Sequence, residues 1–143
     1  MHSLIRLLIL FLLTGNQLAA ADRPDPVTPT GTWSHDSDGL ELILDFPPKS
    51  KSLTLTILAG DNGLVVNCDY EWKKGAIHAK IRDITEKGSF PVKLERGTAF
   101  SFQFRITGKT ATVSDYQGAL ADEARRFFEG EYTPVPPKQA KPE

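Results

Sequence analysis

Apolar and polar residues alternate one by one along most of the chain between residues 40 and 114. Such a period of two is typical of β-strands, in which successive side chains point to opposite faces of a sheet. The pattern predicts strands whose apolar face carries these residues: Leu40, Leu42, Leu44, Phe46; Leu53, Leu55, Ile57; Leu64, Val66, Cys68, Tyr70, Trp72; Ile77, Ala79, Ile81; Phe100, Phe102, Phe104, Ile106; Ala111, Val113.

Short turn sequences separate these segments and predict how the strands pair. Five turns are expected, and the first is Asp36 to Gly39. The other four, with one inward pair from each, are Pro47 to Ser50 with Leu44 opposite Leu53, Asn62-Gly63 with Ile57 opposite Cys68, Lys74-Gly75 with Trp72 opposite Ile77, and Gly108-Lys109 with Phe104 opposite Val113. Each inward residue then meets another inward residue, as one continuous apolar sheet face requires.

After Gly118 the apolar residues recur at helical spacing, and Gly130 provides a C-terminal stop. A last strand at 131–133 can then lie beside a first strand at 32–34 and close the sheet. We therefore predict an all-β domain over residues 31–134. It is an antiparallel meander of about 7–8 strands forming a small barrel, with one short C-terminal helix. A two-sheet sandwich is the alternative.

The first 21 residues have the features of a secretory signal peptide. Arg6 is positively charged, residues 7–13 are an unbroken apolar run, and Ala19 to Ala21 supply small residues before Asp22. The alternative, a membrane anchor, needs about 20 apolar residues, and the polar residues 14–17 interrupt this run. We expect cleavage after Ala21, export to the periplasm or the medium, and no transmembrane span in the mature chain. Residues 22–30 are expected to form a flexible lead-in, and 135–143 a disordered proline-rich tail.

Three short motifs carry a resemblance to known proteins: Gly31-Thr32-Trp33, Phe100-Ser101-Phe102 and Gly130-Glu131-Tyr132. Together they resemble small uncharacterised exported proteins of planctomycete bacteria, which share these segments. The Gly-x-Trp motif on the first strand also looks like that of the lipocalin-type barrels. The first resemblance implies no activity, and the second implies a lipocalin-like barrel in outline.

No group of residues predicts catalysis, a cofactor or a metal site. Ser34, His35 and Asp36 have the letters of a nucleophilic triad, but consecutive strand residues point to opposite faces and cannot form the relay. Cys68 is the single cysteine of the chain, so an internal disulfide is not possible, and its apolar neighbours predict a buried side chain. The net charge of −1 argues against a nucleic-acid partner.

Charge is distributed unevenly along the chain. Residues 22–72 are strongly acidic and residues 73–109 strongly basic. A basic surface for an anionic envelope polymer is one interpretation. The other is neutralisation across strands, because the Lys74-Gly75 hairpin places Glu71 beside His78 and Asp69 beside Lys80.

Two candidate sites follow from these patterns. The connection at residues 85–98 is longer than a hairpin loop, which favours a binding loop with Lys87, Lys93 and Arg96. The second is an apolar pocket near Trp33, Trp72 and Phe102, although the inward aromatic rings predict a filled interior rather than a large cavity. We thus expect an exported, non-enzymatic binding or envelope-associated module whose partner is an envelope polymer or a protein. The alternative is a carrier of a small apolar ligand, which requires an interior pocket.

Overall fold

The computed structural model describes residues 28–91 and 93–136 and shows a closed barrel of eight antiparallel strands with one helix. The elements in chain order are β1 (Gly31–Ser37), β2 (Leu40–Phe46), β3 (Ser52–Ala59), β4 (Asn62–Lys73), β5 (Ala76–Lys87), β6 (Ala99–Thr107), β7 (Thr110–Gly118), α1 (Ala121–Phe128) and β8 (Gly130–Val135). Each strand pairs with the next along the chain, and β8 pairs with β1. The predicted all-β barrel is therefore confirmed, and the two-sheet sandwich is excluded.

The barrel interior is built from the alternating apolar residues. Leu42, Leu44 and Phe46 on β2 are fully buried, whereas their neighbours are half-buried or exposed. The same alternation recurs on β3 to β7. Apolar area removed from water stabilises a fold by about 25 cal/mol per Å², so this stripe is the main source of stability. Cys68 is fully buried in it, which confirms its predicted place in the core.

The meander gives the barrel two different ends, since every second connection lies at the same end. One end carries the turns at residues 38–39 and 60–61, the connection at 88–98 and helix α1; we call it the helix end. The other carries the turns at 47–51, 74–75 and 108–109, the start of β1 and the end of β8. Each of these three turns contains lysine, so we call it the lysine end.

Two predicted hairpin registers are confirmed. Trp72 lies opposite Ile77 across the Lys74-Gly75 turn. Phe104 lies opposite Val113 across the Gly108-Lys109 turn. The predicted closing pair is also present, because residues 32–34 of β1 pair with residues 133–135 of β8.

The other two predicted registers are wrong, by an even number of residues in each case. The turn between β3 and β4 is Gly60-Asp61 rather than Asn62-Gly63, so Leu53 faces Cys68. Gly60 has φ of +63°, which suits a tight turn, whereas Gly63 lies within β4 where a Cβ atom would come within 3.0 Å of Leu58.

The turn between β2 and β3 extends through residue 51. It therefore places Leu44 opposite Leu55 instead of Leu53. The Ser50 hydroxyl accepts a hydrogen bond from the backbone N–H of Ser52 at 3.0 Å and thereby ends the turn.

Strand β5 is longer than expected and takes up part of the predicted 85–98 loop. Its pairing with β4 shifts by one residue between Asn67 and Cys68 and then continues to Lys87. A shift of this kind marks a β-bulge, which adds one residue to a strand and re-aims those beyond it. The Asn67 amide stabilises the pairing there, since it donates to Asp83 at 2.8 Å and accepts from Thr54 at 2.9 Å. The remaining connection covers residues 88–98.

Helix α1 is confirmed near its predicted position, and β8 runs to Val135, one residue beyond the expected domain boundary. Within the described part of the chain, no helix is long and apolar enough to cross a bilayer. The expected signal peptide at 1–21 and most of the expected lead-in and tail lie outside the described residues.

Candidate ligand-binding cavity

An apolar cavity of about 250 Å³ lies at the helix end of the barrel. The strands contribute mostly aliphatic side chains and two aromatic rings to its wall, and α1 and the 88–98 connection contribute the parts that lie across the barrel end. The strand residues are Leu40, Leu42, Leu55, Ile57, Ala59, Val66, Ile81, Phe100 and Tyr116; the others are Phe90, Pro91, Leu94, Thr98, Ala119, Leu120, Glu123, Ala124, Phe127 and Phe128. An interior space therefore exists where the sequence predicted a filled core.

On β2 and β4, the inward residues change from rings near the lysine end to aliphatic side chains near the helix end, where the cavity lies. In the half of the barrel nearer the lysine end, Phe46 packs against Tyr70 and Phe104, with ring centroids 5.7 and 5.2 Å apart. Trp33 also packs edge-on against Phe104 at 5.6 Å. The rings thus fill this half, as expected, whereas the aliphatic side chains of β2 to β5 leave space at the helix end beside the rings of Phe100 and Tyr116.

The cavity reaches the surface between the start of α1 and the 88–98 connection. Pro91, Leu120 and Glu123 line it and are exposed. Leu120 is 46% exposed and has φ of 56°, the left-handed region that a leucine rarely adopts. Leu120 therefore places an apolar side chain at the mouth of the cavity.

Helix α1 is held over the barrel end by hydrogen bonds from both sides. The buried Tyr132 hydroxyl donates to the Phe128 carbonyl at 2.7 Å. The Arg125 Nε donates to the Tyr116 carbonyl at 3.0 Å, and the Glu129 carboxylate accepts from the Tyr116 backbone N–H at 3.1 Å. These three bonds join α1 and the residue after it to β7 and β8. The apolar side chains of Ala124 and Phe127 on α1 line the cavity.

The 88–98 connection is anchored through Glu86. Its carboxylate accepts a hydrogen bond from the Phe90 backbone N–H at 2.8 Å and an ion-paired one from Lys93 at 3.2 Å. These two donors hold the pKa of Glu86 below its usual value, the Phe90 N–H having the larger effect. The anchored segment places Phe90 in the core, only 4% exposed.

The cavity wall contains few polar side chains. The Tyr116 hydroxyl donates to the Ala119 carbonyl at 3.2 Å, and its burial raises the pKa of the phenol. Thr98 and Glu123 are the other polar side chains of the wall. Among the described residues, no group of three or more His, Cys, Asp or Glu could hold a metal ion.

His35, the central residue of the Ser34-His35-Asp36 motif, contacts strand β8. Its ring stacks on Tyr132 with centroids 4.8 Å apart. Its Nδ1 donates to the Glu131 carbonyl at 2.9 Å, which joins β1 to β8. The ring therefore packs between β1 and β8, where its contacts are with Tyr132 and Glu131.

None of the residues predicted for an apolar pocket lines the cavity. Trp33 and Trp72 lie toward the lysine end, near the start of β1 and the end of β4. Phe102 is 1% exposed in the middle of the barrel, where its ring packs edge-on against Phe128. The predicted pocket and the observed cavity therefore lie in different parts of the barrel.

The predicted basic loop residues lie at the helix end, around the cavity. Lys87 ends β5, and Lys93 and Arg96 are exposed in the following connection. Carboxylates outnumber cations at this end: Asp36, Asp38, Glu41, Asp61, Glu86, Glu95, Asp122, Glu123 and Glu129 against Lys87, Lys93, Arg96, Arg125 and Arg126. The three residues thus lie close together along the chain but do not make this end basic.

The acidic side chains of β4 form ion pairs, but with other partners than the sequence predicted. The register places Glu71 opposite His78 and Asp69 opposite Lys80, as expected. The ion pairs, however, join Asp69 to Arg82 and Glu71 to Lys73, both at 2.8 Å. Because all four side chains are exposed, each pair adds little stability.

Sequence reasoning missed the helix and loop residues of the cavity. The signal was present in Leu120, Ala124 and Phe127, whose helical spacing defines one apolar face. In the structure, that face packs over the helix end of the barrel and lines the cavity.

Comparison of the chain with protein-family models, with curated proteins and with solved structures finds no match.

Proposed function

We propose that this protein is an exported, non-enzymatic carrier that binds a small apolar ligand in the cavity at the helix end. The observation that supports the proposal is the enclosed apolar space of about 250 Å³ between the barrel wall, α1 and the 88–98 connection. Ligand sites are typically concave, mostly apolar and equipped with few polar groups. This cavity has that composition, with a mouth at Leu120 and Glu123.

The cavity volume limits the size of the ligand. An engineered cavity of about 150 Å³ lined by apolar side chains binds benzene, whereas pockets for drug-sized molecules start at about 300 Å³. The volume here lies between these values. The expected ligand is therefore one or two fused rings or a short acyl chain, with any polar group at the mouth near Glu123.

Binding is measured with 1-aminonaphthalene, a neutral two-ring dye whose emission at short wavelength increases when it leaves water. The wild-type chain is expected to increase its fluorescence in a saturable manner, and naphthalene is expected to displace it. Ala124→Phe places a ring in the cavity, because Ala124 lines it from α1. This substitution is expected to weaken dye binding by a factor of about ten or more, since buried apolar area governs such affinity.

Ala121→Phe is the matched control, because Ala121 lies on the same helix and does not line the cavity. It should leave dye affinity within about twofold of wild type, since no cavity area is lost. Absence of dye binding to the wild-type chain, or equal loss in both variants, contradicts the proposal. Circular dichroism of each variant establishes that the barrel has formed.

Export is tested separately from ligand binding. Expression of the full sequence in a bacterial host, followed by mass spectrometry of the protein recovered outside the cytoplasm, should give a chain that begins at Asp22. A product that retains residues 1–21 and stays in the cytoplasm contradicts export but leaves the cavity proposal intact.

A further inference from the structure

The lysine end of the barrel gathers cations that are far apart in sequence. Its turns at residues 47–51, 74–75 and 108–109 and the adjoining strand ends hold six of them. All six are exposed: Lys49, Lys51, Lys73, Lys74, Arg105 and Lys109. The carboxylates at this end are Asp45, Glu71 and Glu131, the last of which lies level with Arg105 across β7.

Most of these cations are available for a partner. Lys73 is paired with Glu71, and Asp45 accepts a hydrogen bond from the Thr32 hydroxyl at 2.9 Å. Across residues 28–91 and 93–136, no ion pair joins any of the other five cations to a carboxylate. With carboxylates in excess at the helix end, the barrel carries opposite charge at its two ends, although the net charge of the full chain is only −1.

Apolar side chains accompany the cations. Ile106 and Val135 are each 38% exposed, and both lie at the lysine end, near the ends of β6 and β8. Lysine side chains extend along an apolar surface and keep their ammonium groups in water, which suits the boundary between lipid headgroups and acyl chains. A hydrated polyanion, in contrast, gains nothing from exposed isoleucine and valine.

The direction of the chain favours the same partner. Strand β1 begins at the lysine end, so residues 1–27 join the barrel there. The apolar run at residues 7–13 is thus connected to this end. A form cleaved after Ala21 still carries all six cations.

We propose that the lysine end docks on an anionic lipid surface, with Lys49, Lys51, Lys74 and Lys109 facing the headgroups. Each lysine near an anionic bilayer contributes about 1 kcal/mol of attraction, which salt screens. Docking of this kind orients the cavity mouth away from the bilayer, because the helix end is opposite. None of the lysine-end cations lines the cavity, so the docking proposal can be tested separately from ligand binding.

The experiment compares two triple charge reversals in the full chain by co-sedimentation with vesicles. One carries Lys49→Glu, Lys74→Glu and Lys109→Glu at the lysine end. The matched control carries Lys87→Glu, Lys93→Glu and Arg96→Glu at the helix end. Both change the net charge equally and keep residues 1–27, so any insertion of the apolar run is the same in each. Vesicles of phosphatidylcholine with phosphatidylglycerol are compared with phosphatidylcholine alone.

The wild-type chain and the helix-end variant should prefer the anionic vesicles, and high salt should weaken that preference. The lysine-end variant should bind them at least about tenfold more weakly, as expected from three lost cations. Lys→Gln at the same three positions should give a smaller loss, and provides the test if the glutamate variant fails to fold.

Equal binding of the two vesicle types by the wild-type chain overturns the proposal, as does an equal loss in both triple variants. A preference for soluble dextran sulfate without binding to anionic vesicles also overturns it, in favour of a polymer. Loss in the helix-end variant alone supports instead the basic loop predicted from Lys87, Lys93 and Arg96.

Discussion

The Tyr132 hydroxyl donates a buried hydrogen bond to the Phe128 carbonyl at 2.7 Å, and this bond joins strand β8 to the last turn of helix α1. Both residues are less than 5% exposed. The last carbonyls of a helix have no partner within the helix, so the phenol satisfies one that would otherwise be buried alone. The bond therefore fixes the helix over the cavity.

Tyr132→Phe should destabilise the protein by about 1–3 kcal/mol, because it leaves the buried Phe128 carbonyl without a donor. Urea unfolding followed by tryptophan fluorescence measures the change. Tyr116→Phe is the matched control: its hydroxyl donates to the Ala119 carbonyl at a longer 3.2 Å and in a partly buried place. It should cost less, about 0.5–1.5 kcal/mol. A smaller loss for Tyr132→Phe than for Tyr116→Phe would contradict this role.

Stability should decrease in alkaline solution. Burial raises the pKa of the Cys68 thiol from 9.0 to about 12, and burial also raises the pKa of Tyr132 above 10.0. Above its unfolded-state pKa, each group loses its proton in the unfolded chain but keeps it in the fold. The free energy of unfolding therefore falls with pH, by about 1.4 kcal/mol per unit for each group. The Cys68 contribution is complete below pH 9 and is lost between 9 and 12.

Urea midpoints measured across this pH range test the assignment. Cys68→Ala should flatten the decrease that begins near pH 9, whereas Tyr132→Phe should flatten only the part above pH 10. We expect both variants to be less stable than wild type at neutral pH. The comparison therefore uses the slope of the urea midpoint against pH rather than the midpoint itself. An unchanged slope in both would show that other groups cause the alkaline loss.

The inward face of the sheet could be predicted from sequence even where the turns could not. Leu53 faces Cys68 rather than Trp72, and Leu44 faces Leu55 rather than Leu53. Each error shifts the register by an even number of residues, which keeps every inward side chain inward. The alternation of apolar residues is therefore stronger information than the turn sequences. Between β3 and β4, for example, both Gly60 and Gly63 could have formed the turn.

The cavity and the lysine end depend on contacts that are distant in sequence. Phe90 and Phe127 meet at the cavity only because a loop and a helix pack across the same barrel end. Sequence analysis instead predicted a binding loop with Lys87, Lys93 and Arg96, which are close together in the chain. Lys49, Lys74 and Lys109 could have been grouped from the meander alone, since alternate turns share an end.

Gly130→Ala should be destabilising because two effects combine at this position. Gly130 has φ of +145°, and a Cβ atom there would lie 2.6 Å from the Cε1 of His35. We expect a loss of about 2–4 kcal/mol from strain and overpacking together. Gly97→Ala is the control for the backbone effect, since Gly97 has φ of +85° with no atom within 4 Å of the added Cβ.

A double variant separates the two effects at Gly130. His35→Ala removes the ring that the new methyl group would meet, so Gly130→Ala should cost less in that background than in wild type. The difference measures the coupling between the two residues. Additive losses would show that the backbone conformation alone makes glycine necessary here.

Cys68 should react with a thiol reagent only when the barrel opens. It is fully buried, and its pKa of about 12 leaves almost no thiolate at neutral pH. The thiolate is the nucleophile, so reaction with dithionitrobenzoate should be slow in the native protein and rapid in urea. Since Cys68 is the single cysteine of the chain, the released chromophore reports on this one residue. The native rate should rise with urea in parallel with the unfolded fraction. A rapid reaction without denaturant would mean that the barrel opens beside β4, and the apolar interior on which the cavity depends would then be accessible to water.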